Sequence, residues 1–102
     1  MKIKKKYIVT IDIGGTKTNI GYFSNGKLIK VSNFPTKKYG PENIQAIAEL
    51  LINSKKNISA ICLSLTGLVN SKGYWNPINK ITLGDFKDYP VINILKKIFN
   101  IP

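Results

Sequence analysis

Two strand-like runs, Tyr7-Ile8-Val9-Thr10-Ile11 and Thr18-Asn19-Ile20-Gly21-Tyr22-Phe23, flank the segment Asp12-Ile13-Gly14-Gly15-Thr16-Lys17, and no other stretch constrains the chain as much. The first run is β-branched and aromatic and reads as a buried strand, while the second alternates and reads as its partner. Between them a carboxylate at the end of the first strand is followed by two glycines, a hydroxyl and an ammonium.

That order suits a phosphate. Glycines let the backbone take positive φ and let a ligand approach closely, and a tight turn can aim successive N–H groups at an anion. The Thr16 hydroxyl and the Lys17 charge add donors for phosphate oxygens. Asp12 repels a phosphate unless a cation lies between them. Hydrated Mg²⁺, which binds one or two carboxylates, several waters and phosphate oxygens, resolves that conflict. A plain Gly-Gly β-hairpin with a solvated Lys17 fits the composition equally well. The Gly-x-x-x-x-Gly-Lys-Ser/Thr spacing of a P-loop is absent. A Rossmann fingerprint would open a helix, and here a strand follows.

Downstream, Asn25-Gly26 is a two-residue hairpin signal, so residues 7–33 read as three antiparallel strands in a meander. Gly21 either weakens the second strand, admits a close backbone approach or serves packing. A loop over 34–40 leads to Pro41 in the first turn of a helix, whose Ile44, Ile47, Ala48 and Leu51 share one buried face. Glu42 near its start and Lys55 and Lys56 near its end suit the helix dipole. The run Ile58–Leu65 then reads as a strand parallel to the first. Its carboxyl end, carrying Thr66-Gly67-Leu68-Val69-Asn70, emerges beside the Gly-Gly turn, where ligands of open α/β sheets gather. Tyr74 and Trp75 suit core or interface packing more than stacking on a ligand. Asp88-Tyr89-Pro90 opens a second helix with Val91, Ile94, Leu95 and Ile98 on one face.

At 102 residues the chain is one domain at most, and 43% apolar content fits a globular protein. The one cysteine, Cys62, excludes a disulfide framework, points to a reducing compartment and reads as a buried, inert thiol. The lysine-rich N-terminus imitates a signal peptide, but the following apolar stretch is short and broken by Asp12. No run reaches membrane-spanning length. The cytoplasm is the expected location. A net charge of +11 arises from 16 Lys and no Arg. It admits nucleic-acid binding, but the lysines are scattered and arginine, the better bidentate donor, is missing. A solvated basic surface is the preferred reading.

The segment Asp12–Thr18 resembles the first phosphate motif of the ROK (repressor, open reading frame, kinase) family of bacterial sugar kinases and related repressors, within the wider actin, hexokinase and Hsp70 ATPase group. Downstream, Gly67, Val69 and Gly73 match the family's next turn, with Thr66 in place of a usual Pro and Asn70 in place of Asp. The resemblance implies an α/β, ribonuclease H-like (actin-like ATPase) domain: a three-stranded antiparallel meander extended by a parallel strand, with two helices. It implies ATP and Mg²⁺ as cofactors, with Asp12 holding Mg²⁺ through water and Gly14, Gly15, Thr16, Lys17 and Thr18 on the nucleotide phosphates. It puts a sugar hydroxyl near Gly67 and, through the nearest counterpart of a Pro-Asn pair, near Asn79. The implied activity is phosphorylation of a hexose or N-acetylhexosamine by a glucokinase or N-acetylmannosamine kinase-like protein.

The same resemblance implies that residues 1–102 are an N-terminal phosphate-binding domain that stops before the Asp acting as general base. Asp85 and Asp88 do not replace it, so no group in the chain is assigned a catalytic role and the chain alone is expected to be inactive. Alternatives are a sugar-sensing module related to the ROK repressors and a basic nucleic-acid-binding protein. The expected partners are nucleotide and a small sugar, with no membrane, and a homodimer through an exposed strand edge.

Overall fold

The computed structural model describes residues 7–78 and 83–101. Strands β1 (Tyr7–Ile13), β2 (Lys17–Ser24) and β3 (Lys27–Pro35) form an antiparallel meander, and β4 (Ile58–Leu65) joins β1 in parallel. The sheet order is β3-β2-β1-β4. Asn25 (φ 53°) and Gly26 (φ 76°) both lie in the left-handed region, as the tight turn between β2 and β3 requires.

Between β3 and β4 runs helix α1 (Gly40–Leu51), continued by a 3₁₀ turn over Ile52–Asn57. Pro41 stands in the first turn of α1 as expected, and no side chain caps its N-terminus. Asn43 does the local work instead. Fully buried, it accepts from the Lys37 N–H (2.7 Å) and donates to the Lys37 and Gly40 carbonyls (both 3.2 Å), so a buried amide is satisfied while the loop is stitched to the helix. After β4 comes a small antiparallel pair, β5 (Leu68–Val69) with β6 (Trp75–Asn76), and then helix α2 (Val91–Phe99).

Alternation along the strands decides where the core sits. Val9, Ile11 and Ile13 of β1 and Ile20 and Tyr22 of β2 point to one side, where they are buried with Ile44, Ile47 and Leu51 of α1 and Val91, Leu95 and Phe99 of α2. Each such fully buried aliphatic side chain is worth roughly 1.5–3 kcal/mol relative to exposure. A second knot of aromatic rings, Trp75 with Phe86 (centroids 4.8 Å apart) and Tyr89 (6.3 Å), closes the end of the core near β6.

The opposite side of the sheet carries Ile8, Thr10 and Asp12, and no described helix packs on it. There the structure corrects one expectation. Cys62 is exposed, not buried. The run Ile58–Leu65 is so poor in polar groups that it reads as covered on both sides. Only one side is covered, however, so Ala60, Cys62 and Ser64 alternate outward between Ile61, Leu63 and Leu65.

Candidate functional site

The end of β1 and the turn into β2 are braced from three directions. Within the turn, the Gly14 N–H donates to the Lys17 carbonyl (3.0 Å). From the end of β3, the Thr36 N–H donates to the Thr16 carbonyl (3.0 Å). From the end of β4, both the N–H (3.1 Å) and the hydroxyl (2.9 Å) of Thr66 donate to the Ile13 carbonyl. The Gly15 and Thr16 N–H groups make no hydrogen bond to the described residues. They are backbone donors this turn can offer a ligand.

The side chains divide between the two faces. Asp12 pairs with Asn19 in the β1–β2 register, and Lys17 lies two residues before Asn19, so all three belong to the open face. Asp12, Thr16 and Lys17 are exposed. Among the described residues no ion pair engages Asp12 or Lys17, so a carboxylate and an ammonium stand uncommitted beside the turn.

Thr18 belongs elsewhere. It is fully buried on the core side, with its hydroxyl 2.9 Å from that of Thr36. The motif reading grouped Thr18 with the phosphate donors, but strand alternation turns it away from Asp12 and Lys17. Gly14 also changes role, since its amide is spent on Lys17, and a Cβ there would sit 3.0 Å from that carbonyl.

Open-face residues align in rows across the sheet. Ser64, Asp12, Asn19 and Asn33 form one row over all four strands, next to the turn. The next row is Cys62, Thr10, Gly21 and Val31, and the third is Ala60, Ile8, Phe23 and Leu28. Polarity is thus concentrated at the carboxyl end of β1. A shallow groove lined by Ile8, Thr10, Phe23 and Ser59 lies toward the apolar end, and a larger one of about 770 Å³ lies between β3 and α1. No residue of the β1–β2 turn lines either groove.

The second turn follows β4. Gly67 has φ 124°, and a Cβ on it would collide with the Asn76 carbonyl. Glycine is required there by the approach of β6. Trp75, fully buried, donates its indole N–H to the Thr66 carbonyl (3.0 Å) and exchanges backbone hydrogen bonds with Tyr89 (2.7 and 3.0 Å). Its ring is therefore a packing element. Asp88 caps no helix: its N–H donates to the Asn76 side chain (2.8 Å), whose amide nitrogen returns a bond to the Asp88 carboxylate (3.2 Å). Asn79 lies outside the described residues.

Burial pushes the Tyr89 and Tyr22 phenols above their ordinary value, partly offset at Tyr22 by a hydrogen bond with Ser32. Neither stands at the turn. The braces at Thr36 and Thr66 escape motif reading. A hydroxyl just after each strand end was the available signal, and threonine is too common there to stand out.

No protein-family model matches the chain. Over 96 residues it is 28% identical to the N-acetylmannosamine kinase of Yersinia pestis (strain Pestoides F), covering 92% of this chain and 33% of that protein. Among solved structures, a ROK hexokinase from Thermus thermophilus superposes with a TM-score of 0.73 at 26% identity, covering 94% of this chain and 33% of that one. A ROK family glucokinase from Streptomyces griseus, in complex with glucose and AMPPNP, superposes with a TM-score of 0.71 at 18% identity, again covering 94% of this chain and 31% of its own. The chain spans about a third of the length of these proteins.

Proposed function

We propose that this chain, which is similar to ROK sugar kinases over about a third of their length, is the ATP-phosphate-binding part of an ATP-dependent kinase for a hexose or N-acetylhexosamine. One observation carries this reading. An exposed carboxylate, Asp12, and an exposed ammonium, Lys17, share the face beside a turn whose Gly15 and Thr16 amides have no acceptor among the described residues.

The donor set fits a magnesium–nucleotide complex. No cluster of three or more His, Cys, Asp or Glu occurs among the described residues. A single solvent-exposed carboxylate is what a hydrated Mg²⁺ uses when waters and phosphate oxygens complete its shell. Asp12 would hold the ion through water, and the ion would neutralise phosphate charge. Gly15 and Thr16 would donate backbone N–H groups to phosphate oxygens, the Thr16 hydroxyl would add a third donor, and Lys17 would offset charge as a mobile ammonium. The turn binds and orients, which is the larger part of what phosphoryl transfer asks of a protein.

We assign residues 1–102 no general base, and Gly67 and Asn79 remain the proposed sugar contacts. The same reading includes a cytoplasmic location, where ATP and a reduced Cys62 coexist, and self-association through the unpaired β4 edge.

Calorimetric titration of the 102-residue chain with AMPPNP, with and without Mg²⁺, tests the proposal. Binding that requires Mg²⁺ is expected. Asp12→Asn should weaken it by about tenfold or more, as loss of a charge-assisted contact implies. A coupled ADP-release assay over a sugar panel should detect no turnover. Absence of nucleotide binding, or an unchanged Mg²⁺ requirement in Asp12→Asn, overturns the phosphate-site reading. Clear turnover by the pure chain overturns the assignment of no general base.

A further inference from the structure

We propose that Thr66 is a positioning residue for the phosphate turn, a role that rests on the nucleotide-binding reading and adds to it. Every polar atom of Thr66 is committed. Its N–H and hydroxyl both donate to the Ile13 carbonyl (3.1 and 2.9 Å), and its own carbonyl accepts from the buried indole of Trp75 (3.0 Å).

The N–H bond alone would be unremarked, being the next rung of the parallel β1–β4 ladder after Ile13 and Leu65. The hydroxyl is the addition. A carbonyl oxygen has two acceptor sites, and Thr66 occupies both on Ile13. Ile13 is the last residue of β1, immediately before Gly14, so this carbonyl fixes the peptide plane from which the turn departs.

On its far side Thr66 is anchored to a rigid body. Trp75 has no exposed surface, packs edge-on against Phe86 and Tyr89, and is bridged to Tyr89 ahead of α2. Thr66 therefore transmits the rigidity of the aromatic knot to the turn bearing Gly15 and Thr16. Holding donors in place before the ligand arrives reduces the ordering cost of binding.

Two measurements on the full 102-residue chain test the inference, comparing wild type, Thr66→Val and Thr66→Ser. The first is amide hydrogen exchange without ligand. Thr66→Val, which keeps the shape and the N–H but loses the hydroxyl, should speed exchange at Gly14 by about fivefold, as expected for one net hydrogen bond. Exchange at the β2–β3 turn should not change, and Thr66→Ser should restore the wild-type rate at Gly14. The second is Mg²⁺-AMPPNP affinity, which Thr66→Val should weaken about fivefold and Thr66→Ser should restore.

A Thr66→Val chain that melts earlier but binds with unchanged affinity when folded overturns the positioning role, as does unchanged exchange at Gly14. If wild type binds no nucleotide, the function reading falls. The exchange result then judges whether Thr66 holds the turn.

Discussion

Thr18 and Asp12 belong to one short motif, yet they lie on opposite faces of the sheet. The difference is a single step of strand alternation. It decides what each side chain does: Asp12 meets solvent, and Thr18 meets the Thr36 hydroxyl in the core. Thr18→Val should therefore cost about 1 kcal/mol of stability, because Thr36 loses its partner, and leave nucleotide affinity unchanged. Chemical denaturation beside a binding titration checks both halves. Weakened binding in a fully folded Thr18→Val chain would return Thr18 to the phosphate set. The motif letters alone could not reveal this, because a motif lists residues in order and omits the face each one presents. Cys62 is the companion case. Its neighbours in β4 are apolar enough to suggest burial on both sides, and only the number of layers packed on the sheet decides otherwise.

Among the elements, local chemistry was a good guide wherever one interaction dominated. Asn25-Gly26 reads as a hairpin turn because left-handed φ is inexpensive there, and both residues adopt it. Pro41 and the Ile44, Ile47, Leu51 face specify α1; of the expected α2 face Val91 and Leu95 are buried and Ile94 and Ile98 partly so, while Phe99, outside the expected set, is buried with them. The segment after β4 was less legible, since its order comes from long-range contacts: the Trp75 indole on Thr66, the Trp75–Tyr89 bridge and the Asp88–Asn76 exchange. Trp75→Phe keeps a ring but deletes the indole donor and part of the packed volume. It should destabilise the chain by about 1–3 kcal/mol, measured by urea denaturation. A value near zero would show that the Thr66 carbonyl finds another donor. Burial of the Tyr22 and Tyr89 phenols gives these elements an alkaline limit. Their folded pKa values lie above the ordinary phenol value of 10.0, so between the two values the folded chain holds more protons than the unfolded one. Stability is then fully present below about pH 10 and falls as pH rises further. Melting temperature against pH, followed with phenolate absorbance, should decline only above that point. A decline beginning near neutrality would need another cause.

At the scale of the whole molecule, two features oppose each other. Among the described residues β4 is bonded to β1 on one side only and is an edge of the sheet, a template for a further strand. Against association stands a net charge of +11, which makes like copies repel. Salt screens that repulsion over about 8 Å at physiological strength and leaves backbone pairing intact. Association of the isolated chain should therefore grow with added salt as well as with concentration, measured by light scattering under reducing conditions. A monomer at every salt concentration would retire the edge as an interface. The reverse trend, dissociation by salt, would implicate ionic contacts. No helix among the described residues is long and apolar enough to cross a membrane.

The outward-facing sulfur has a practical use. A chain with one thiol, paired in register with Thr10 and one row from Asp12, comes with its own attachment point for a reporter group. A dye or spin label placed there needs no engineered residue. It would register whatever comes to rest on that side of the sheet, whether a nucleotide or a second chain.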